Sequence, residues 1–194
     1  MTTSSPPSGR DEVVAAVLDA AADLFAQRGP SATSIRDIAA RSRVNHGLVY
    51  RHFGTKERLV GAVLEYLGAG LMALMSDGAS AAEMEHATGR HIRVLARALL
   101  DGYPVGQLQT RYPNMAALLQ KVRPGYGDDD RAARLAVANA VALQLGWRLF
   151  EPFLRSSTGL DDVTDAQLRD VVDAQMDRIL SSGGGQPGAR RPNS

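Results

Sequence analysis

An all-α fold is what this 194-residue sequence predicts: a small N-terminal helix-turn-helix domain joined by a long helix to a larger helical domain. Two observations carry that expectation. Apolar residues recur at three- and four-residue steps through most of the chain, the period of a helix with one buried face. Between Ser34 and Leu64 the stretch SIRDIAARSRVNHGLVYRHFGTKERLVGAVL holds two short helical patterns separated by a turn, then the start of a long one.

Residues 1–10, rich in Ser, Thr and Pro, have little to bury and are expected to form a disordered tail. A first helix follows, with Val13, Val14, Val17, Leu18, Ala21, Leu24 and Phe25 on its apolar stripe and Gly29-Pro30 to end it. Ser34 then precedes Ile35, Ile38 and Ala39, with Asp37 three residues on, a capping-box start. That second helix runs to about Arg41. Ser42, Arg43 and Val44 form a turn, and Asn45 caps a third helix carrying His46, Gly47, Leu48, Val49 and Tyr50.

Formal charge is only +1 over the whole chain, so bulk electrostatics say nothing of nucleic acid. The local balance differs. From Ser34 to Arg58, the cations Arg36, Arg41, Arg43, Arg51, Lys56 and Arg58 face only Asp37 and Glu57, whereas beyond Leu67 the two signs cancel. Positive charge concentrated on a helix-turn-helix is what a phosphate-meeting surface requires.

The run Ile38-Ala39, Val44-Asn45, Gly47, Tyr50, His52-Phe53, Lys56 and Leu59 resembles the N-terminal domain of the TetR family of bacterial transcriptional regulators, over about a quarter of the chain. The resemblance implies a DNA-binding domain over residues 11–57. It places base-edge contacts on Arg36, His46, Gly47 and Leu48. It places phosphate contacts on Asn45, Tyr50, Arg51, His52 and Lys56, with the Ser34 hydroxyl as a weaker contributor. Two positions depart from the family pattern. Arg43 stands where the family usually has Gly, which requires a non-Gly residue at positive φ and offers one more phosphate contact. Leu48 stands where Thr or Ser is common, exchanging a polar base contact for an apolar one to a thymine methyl.

Thr55 caps the fourth helix, whose stripe Leu59, Val60, Val63, Leu64, Leu67, Leu71, Met72 and Met75 carries it about 30 Å, from the head into a second domain over residues 58–182. Gly61, Gly68 and Gly70 weaken it, each by about 1 kcal/mol relative to Ala. After Asp77-Gly78, a fifth helix from Ser80 to Leu100 carries Ile92, Leu95, Ala96, Leu99 and Leu100 on one face. Gly and Pro then permit only short helices, over 105–110 and 114–122. Asp128, Asp129 and Asp130 lead a long Ala-rich helix, as suits the positive end of a helix dipole. Its seam is Leu135, Ala138, Ala142, Leu145 and Leu149. A last helix repeats the pattern with Leu168, Val172, Gln175 and Ile179. These two helices are expected to pack against a symmetry mate as a four-helix bundle, giving a homodimer, which is also how the resembled family dimerises. Residues 183–194, with Arg190 and Arg191, are expected to be a disordered tail.

For a small-molecule pocket the expected residues are His91, Tyr103, Tyr112, Met115, Gln144, Trp147 and Arg148, mostly apolar or aromatic with a few polar groups. Catalysis is not expected. Cysteine is absent, which removes thiol chemistry and disulfides. His86 and His91 are five residues apart rather than four, no HExxH, nucleophile elbow or phosphate-binding loop occurs, and no metal or cofactor is expected. No apolar run is expected to reach a membrane span and no signal core is present, so the expected place is the cytoplasm. Together these readings describe a homodimeric regulator, a repressor in preference to an activator, that binds a palindromic double-stranded DNA operator and is released by a small-molecule effector. The alternative is a helical dimeric scaffold that does not read DNA, which the departures at Arg43 and Leu48 keep open.

Overall fold

The computed structural model describes residues 9–181, and all regular structure among them is helical. Of the two expected tails, only Gly9 and Arg10 are within the described residues. They open the first helix, and Arg190 and Arg191 lie outside. The chain divides into two compact units, residues 1–114 and 115–194.

The first unit begins with α1 (Arg10–Arg28), α2 (Ile35–Ser42) and α3 (His46–Phe53), joins them to α4 (Lys56–Ser76), and adds α5 (Ala81–Leu100) and α6 (Val105–Leu108). Its core holds Val17, Phe25, Ile38, Val49, Leu59, Val60, Val63, Leu64 and Val94 with almost no exposure. Burying a side chain of this size favours folding by about 1.5–3 kcal/mol, so these residues are the main reason the unit holds together.

Two expectations change here. By length and composition α4 is apolar enough to cross a membrane, contrary to the reading that no run approaches that length. Its glycines and alanines interrupt the run of large residues without making it polar. Its apolar face is occupied instead, Leu59, Val60, Val63 and Leu64 being fully buried by the neighbouring helices. On α5 the buried residues are Ile92, Val94 and Ala98, while Leu99 and Leu100, expected on the core stripe, are 53% and 87% exposed. This helix packs on both α1 and α4, so the groove between those two selects its inward face.

Two contacts tie α4 to the α6 region. A Cβ built on Gly61 would lie 2.2 Å from the Leu108 carbonyl oxygen, so the two backbones touch where only glycine fits. One turn further on, the Glu65 carboxylate accepts hydrogen bonds from Thr110 N at 2.5 Å, Thr110 Oγ1 at 2.9 Å and Arg111 N at 3.2 Å. Burial opposes the Glu65 charge, but these donors outweigh it and hold the carboxyl below its usual range.

The second unit comprises most of α7 (Pro113–Val122), a 3-10 turn (Arg123–Tyr126), α8 (Asp130–Thr158) and α9 (Asp165–Ser181). As the acidic triplet suggests, Asp129 caps α8 by accepting from Ala132 N at 2.9 Å, and Asp130 pairs with Arg123 at 2.7 Å and Arg134 at 2.6 Å. Gly159, at φ 70°, ends α8, and Arg155 spans the corner to α9 by binding Glu151, the Val163 carbonyl and Asp165. Its core is small: Val122, Ala133 and Val137, with Leu118, Leu119, Tyr126, Val141 and Leu180 packed around them.

The expected interface seam divides in this unit. Leu135, Ala138, Ala142 and Leu149 are exposed and Leu145 is half-buried. Leu168 and Val172 are instead buried within the subunit, each 8% exposed, because α9 turns that edge onto α8. Gln175 is exposed and Ile179 half-buried, and Val171 is a large apolar residue of α9 left exposed.

The Gly61 contact makes a stability prediction. Gly61→Ala forces backbone apart and should lower the unfolding free energy by about 1–3 kcal/mol in urea. Gly70→Ala, with nothing within 4 Å of the added methyl, should raise it by about 1 kcal/mol. Equal effects of the two substitutions would show that α6 does not press on α4 at Gly61.

Candidate nucleic-acid interface

Local hydrogen bonding fixes α2 at both ends. Asp37 N donates to Ser34 Oγ at 3.1 Å and Ser34 N donates to Asp37 Oδ2 at 2.8 Å, so the predicted capping box is formed with Asp in the role of Glu. The Ser34 hydrogen bonds, with help from Arg28 at 2.8 Å, hold the Asp37 carboxyl below its usual range. At the other end Arg43 adopts φ 55° and ψ 31°, the left-handed region. Arg43 N donates to Ala40 O and Val44 N to Ala39 O, the two bonds of a Schellman stop. Arg43 is the sole non-glycine residue at positive φ among those described.

That turn aims α3. Asn45 Oδ1 accepts from Gly47 N at 2.8 Å and starts the helix. Val49 is 1% exposed and Phe53 half-buried on the inward side, which leaves His46, Gly47, Tyr50 and Arg51 on the outward side. Tyr50 is 66% exposed, a large aromatic surface on this outward side. Leu48 is half-buried and packs against the core.

The remaining expected contacts surround this face. Arg36 and Arg43 are exposed, and His52 and Lys56 are half-buried. Lys56 Nζ lies 3.5 Å from Ser31 O at the α1–α2 turn, and Thr55 caps α4 by accepting from Arg58 N at 3.3 Å. Arg41 is turned away from the group by an ion pair with Asp23 at 3.1 Å.

Residues 17–63 match the family described as bacterial regulatory proteins, tetR family. A Mycobacterium tuberculosis protein named HTH-type transcriptional repressor Rv3405c is 66% identical over 174 residues, which cover 90% of this chain and 92% of that one. The chain belongs to the TetR family. A second relative, the HTH-type transcriptional repressor KstR2 of Mycolicibacterium smegmatis, shares 46% identity over 63 residues, 32% of this chain and 29% of its own. Among solved structures, one described as "Molecular basis for control of antibiotic production by a bacterial hormones" has the same fold. It aligns with a TM-score of 0.51 at 24% identity, covering 89% of this chain and 98% of its own.

In this TetR-family chain the seven expected effector residues fall in both units: His91, Tyr103 and Tyr112 in the first, Met115, Gln144, Trp147 and Arg148 in the second. Tyr103 sits at the α1–α2 turn, hydrogen-bonded to the Ser31 side chain, and burial with the nearby Glu57 and Asp101 charges raises its pKa. The Tyr112 hydroxyl donates to Gly106 O at 2.6 Å. His91 borders Gly68, a Cβ on which would lie 3.8 Å from His91 Cε1 and 3.8 Å from Asn114 Nδ2. Asn114 Oδ1 is buried with no hydrogen-bond partner. Sequence reasoning missed Asn114, because an Asn after Pro reads as a helix-start signal and nothing in the local pattern marks its burial.

Two predictions concern this TetR-family chain's unusual side chains. Arg43→Val places a β-branched residue in the left-handed region and should cost about 1–2 kcal/mol of stability. Arg43→Gly relieves the backbone but frees the unfolded chain, and the two effects should roughly cancel. Chemical denaturation distinguishes the pair, and equal loss in both would trace the effect to the guanidinium.

Burial lowers the His91 pKa from its ordinary 6.5, disfavouring the imidazolium in the folded state. Below that value the unfolded chain takes up a proton at this group more readily than the folded chain does. Stability is therefore fully present above pH 6.5 and falls on acidification, by at most about 1.4 kcal/mol per pH unit from this group. His91→Gln should flatten the urea midpoint between pH 7.5 and 5.5. An unchanged pH profile would mean that other groups carry the effect.

Proposed function

We propose that this chain is a homodimeric transcriptional repressor that sets α3 in the major groove of a palindromic operator and is released by a small-molecule effector. The observation that carries the reading is the outward face of α3, where His46, Gly47, Tyr50 and Arg51 are exposed on a helix aimed by a fixed turn. The repressor names of the relatives at 66% and 46% identity support it. Arg36, His46, Gly47 and Leu48 meet base edges. Asn45, Tyr50, Arg51, His52, Lys56 and Arg43 meet phosphates, with Ser34 at the margin.

Dimerisation is supported by α8 and α9, which leave Leu135, Leu149, Phe150, Phe153 and Val171 exposed over a small core. A second copy covering them relates two heads by a two-fold axis, and half-sites then lie about 34–36 Å apart or a multiple of that. Release by an effector needs differential binding to two states: a 100-fold loss of operator affinity corresponds to about 2.7 kcal/mol. His91, whose burial disfavours its charged form, and the unpartnered Asn114 carbonyl offer such a ligand its polar contacts. The protein acts as a regulator rather than an enzyme, in the cytoplasm where operator DNA is.

Selection of binding sites from a random duplex library tests this directly. An inverted repeat should be enriched, with affinity falling steeply as salt rises. Arg36→Ala should relax preference at one base pair, by about 1–3 kcal/mol of discrimination, while Lys56→Ala should weaken all sequences and lower the salt slope by about 1. No enriched site, with both variants indistinguishable from wild type, would transfer the reading to the scaffold alternative.

A further inference from the structure

Asp23 on α1 stands between two arginines that belong to different helices. Its Oδ1 lies 2.7 Å from Arg90 Nη2 on α5, and its Oδ2 lies 3.1 Å from Arg41 Nη2 on α2. The same Arg90 nitrogen donates to the Asp19 carbonyl and to Asp19 Oδ1, each at 2.8 Å. One carboxylate therefore links α5 to the helix-turn-helix across α1, and all its partners lie within one compact unit.

The link is part of a longer polar seam. Arg97 Nε donates to Ala26 O at 3.1 Å, and Asp101 Oδ2 accepts from Ser31 N at 2.7 Å. Arg90, Arg97 and Asp101 recur at helical spacing, so one side of α5 is fastened along the last three turns of α1 and the turn after it. On the α2 side of α1, Arg28 pairs with Asp37 in the first turn of α2 and Asp23 pairs with Arg41 in its last. Arg41 is two residues before Arg43, whose left-handed conformation directs α3.

Exposed ion pairs contribute little singly, and the Arg41 side chain is 51% exposed. Arg90 is different. Its side chain is 19% exposed, its Nε is buried without a partner, and although burial opposes its charge, Asp19 and Asp23 outweigh that and raise its pKa. A cation so enclosed fixes the carboxylate that neutralises it, and that carboxylate then has one favourable place to hold Arg41. Helix periodicity explains none of these contacts, and neither does the core: they are polar, and those made by α5 bridge residues about seventy positions apart.

We propose that Asp23 is a positioning residue, transmitting the placement of α5 through Arg90 to Arg41 and so setting the angle at which α2 and α3 meet DNA. It is a route into the head on the α1 side, separate from α4. The proposal rests on the operator-binding reading, and its test therefore has an arm that needs no DNA.

Asp23→Asn keeps shape and removes charge, Arg90→Gln removes charge from a shorter polar side chain, and Arg90→Lys keeps the charge. In free protein, amide hydrogen exchange over residues 38–44 should quicken about two- to fivefold in the first two variants and return to the wild-type rate in Arg90→Lys, with residues 130–158 unchanged in all three. Affinity for the selected operator should fall about three- to tenfold in the first two at an unchanged salt slope, since no phosphate contact is lost. Unaltered exchange over 38–44 overturns the relay whether or not the protein binds DNA. Faster exchange with wild-type affinity overturns the positioning role and leaves a stabilising contact only. A reduced salt slope would instead make Arg41 a phosphate ligand and also overturn it. Wild type without any operator, but with the expected exchange changes, would support the link and remove the DNA reading alone.

Discussion

Burial of one face of α4 is the constraint on which the first unit depends. The three helices of the head, two of them short, share too little surface to form a core alone, and α4 supplies Leu59, Val60, Val63 and Leu64, all fully buried. The same helix packs against α1, α3, α5 and α6, so the helix-turn-helix and the helices beyond it share one hydrophobic cluster. A change in how α5 or α6 sits is felt by the packing around α3 because close-packed interiors transmit displacement. Head and connecting helix are thus one object in packing terms, even though their roles differ.

The helix-turn-helix was largely legible in the sequence because its signals are local. Ser34 with Asp37, Asn45 and Thr55 are caps whose partners lie two or three residues away, and the structure forms each of them. Helix existence and approximate bounds followed from apolar periodicity for the same reason. What periodicity does not encode is which of two adjacent stripes faces inward when a helix touches two neighbours. That is why the spacing places Leu99 and Leu100 on the core stripe of α5 although they are exposed, and Leu168 and Val172 on an outward seam although they are buried within the subunit. The polar seam of Arg90, Arg97 and Asp101 was illegible for a different reason: each partner is about seventy residues away, and a charged residue on a helix reads as solvated unless its surroundings are known.

The second unit reverses the balance of the first. Its buried residues are small, largely Ala and Val, while Leu135, Phe150 and Phe153 are exposed. A long helix with an alanine-rich inner side brings its partner helix close but gains little apolar area per residue. Polar fastenings carry more of the fold there, notably Arg155 at the α8–α9 corner and the Tyr126 hydroxyl donating to Ile179 O at 3.0 Å.

The meeting of Gly61 with the Leu108 carbonyl has a mechanical consequence. Contacts between side chains have slack, because a leucine pressed by a few tenths of an ångström can turn about χ1 or χ2 and pass on only part of the push. Two backbones in van der Waals contact have no such joint. A displacement of the four-residue α6 toward α4 is therefore delivered to the connecting helix undiminished, about six residues or ~9 Å beyond its cap at Thr55. The glycine makes this point of the molecule stiff rather than flexible, the opposite of the softening that its helix propensity alone suggests.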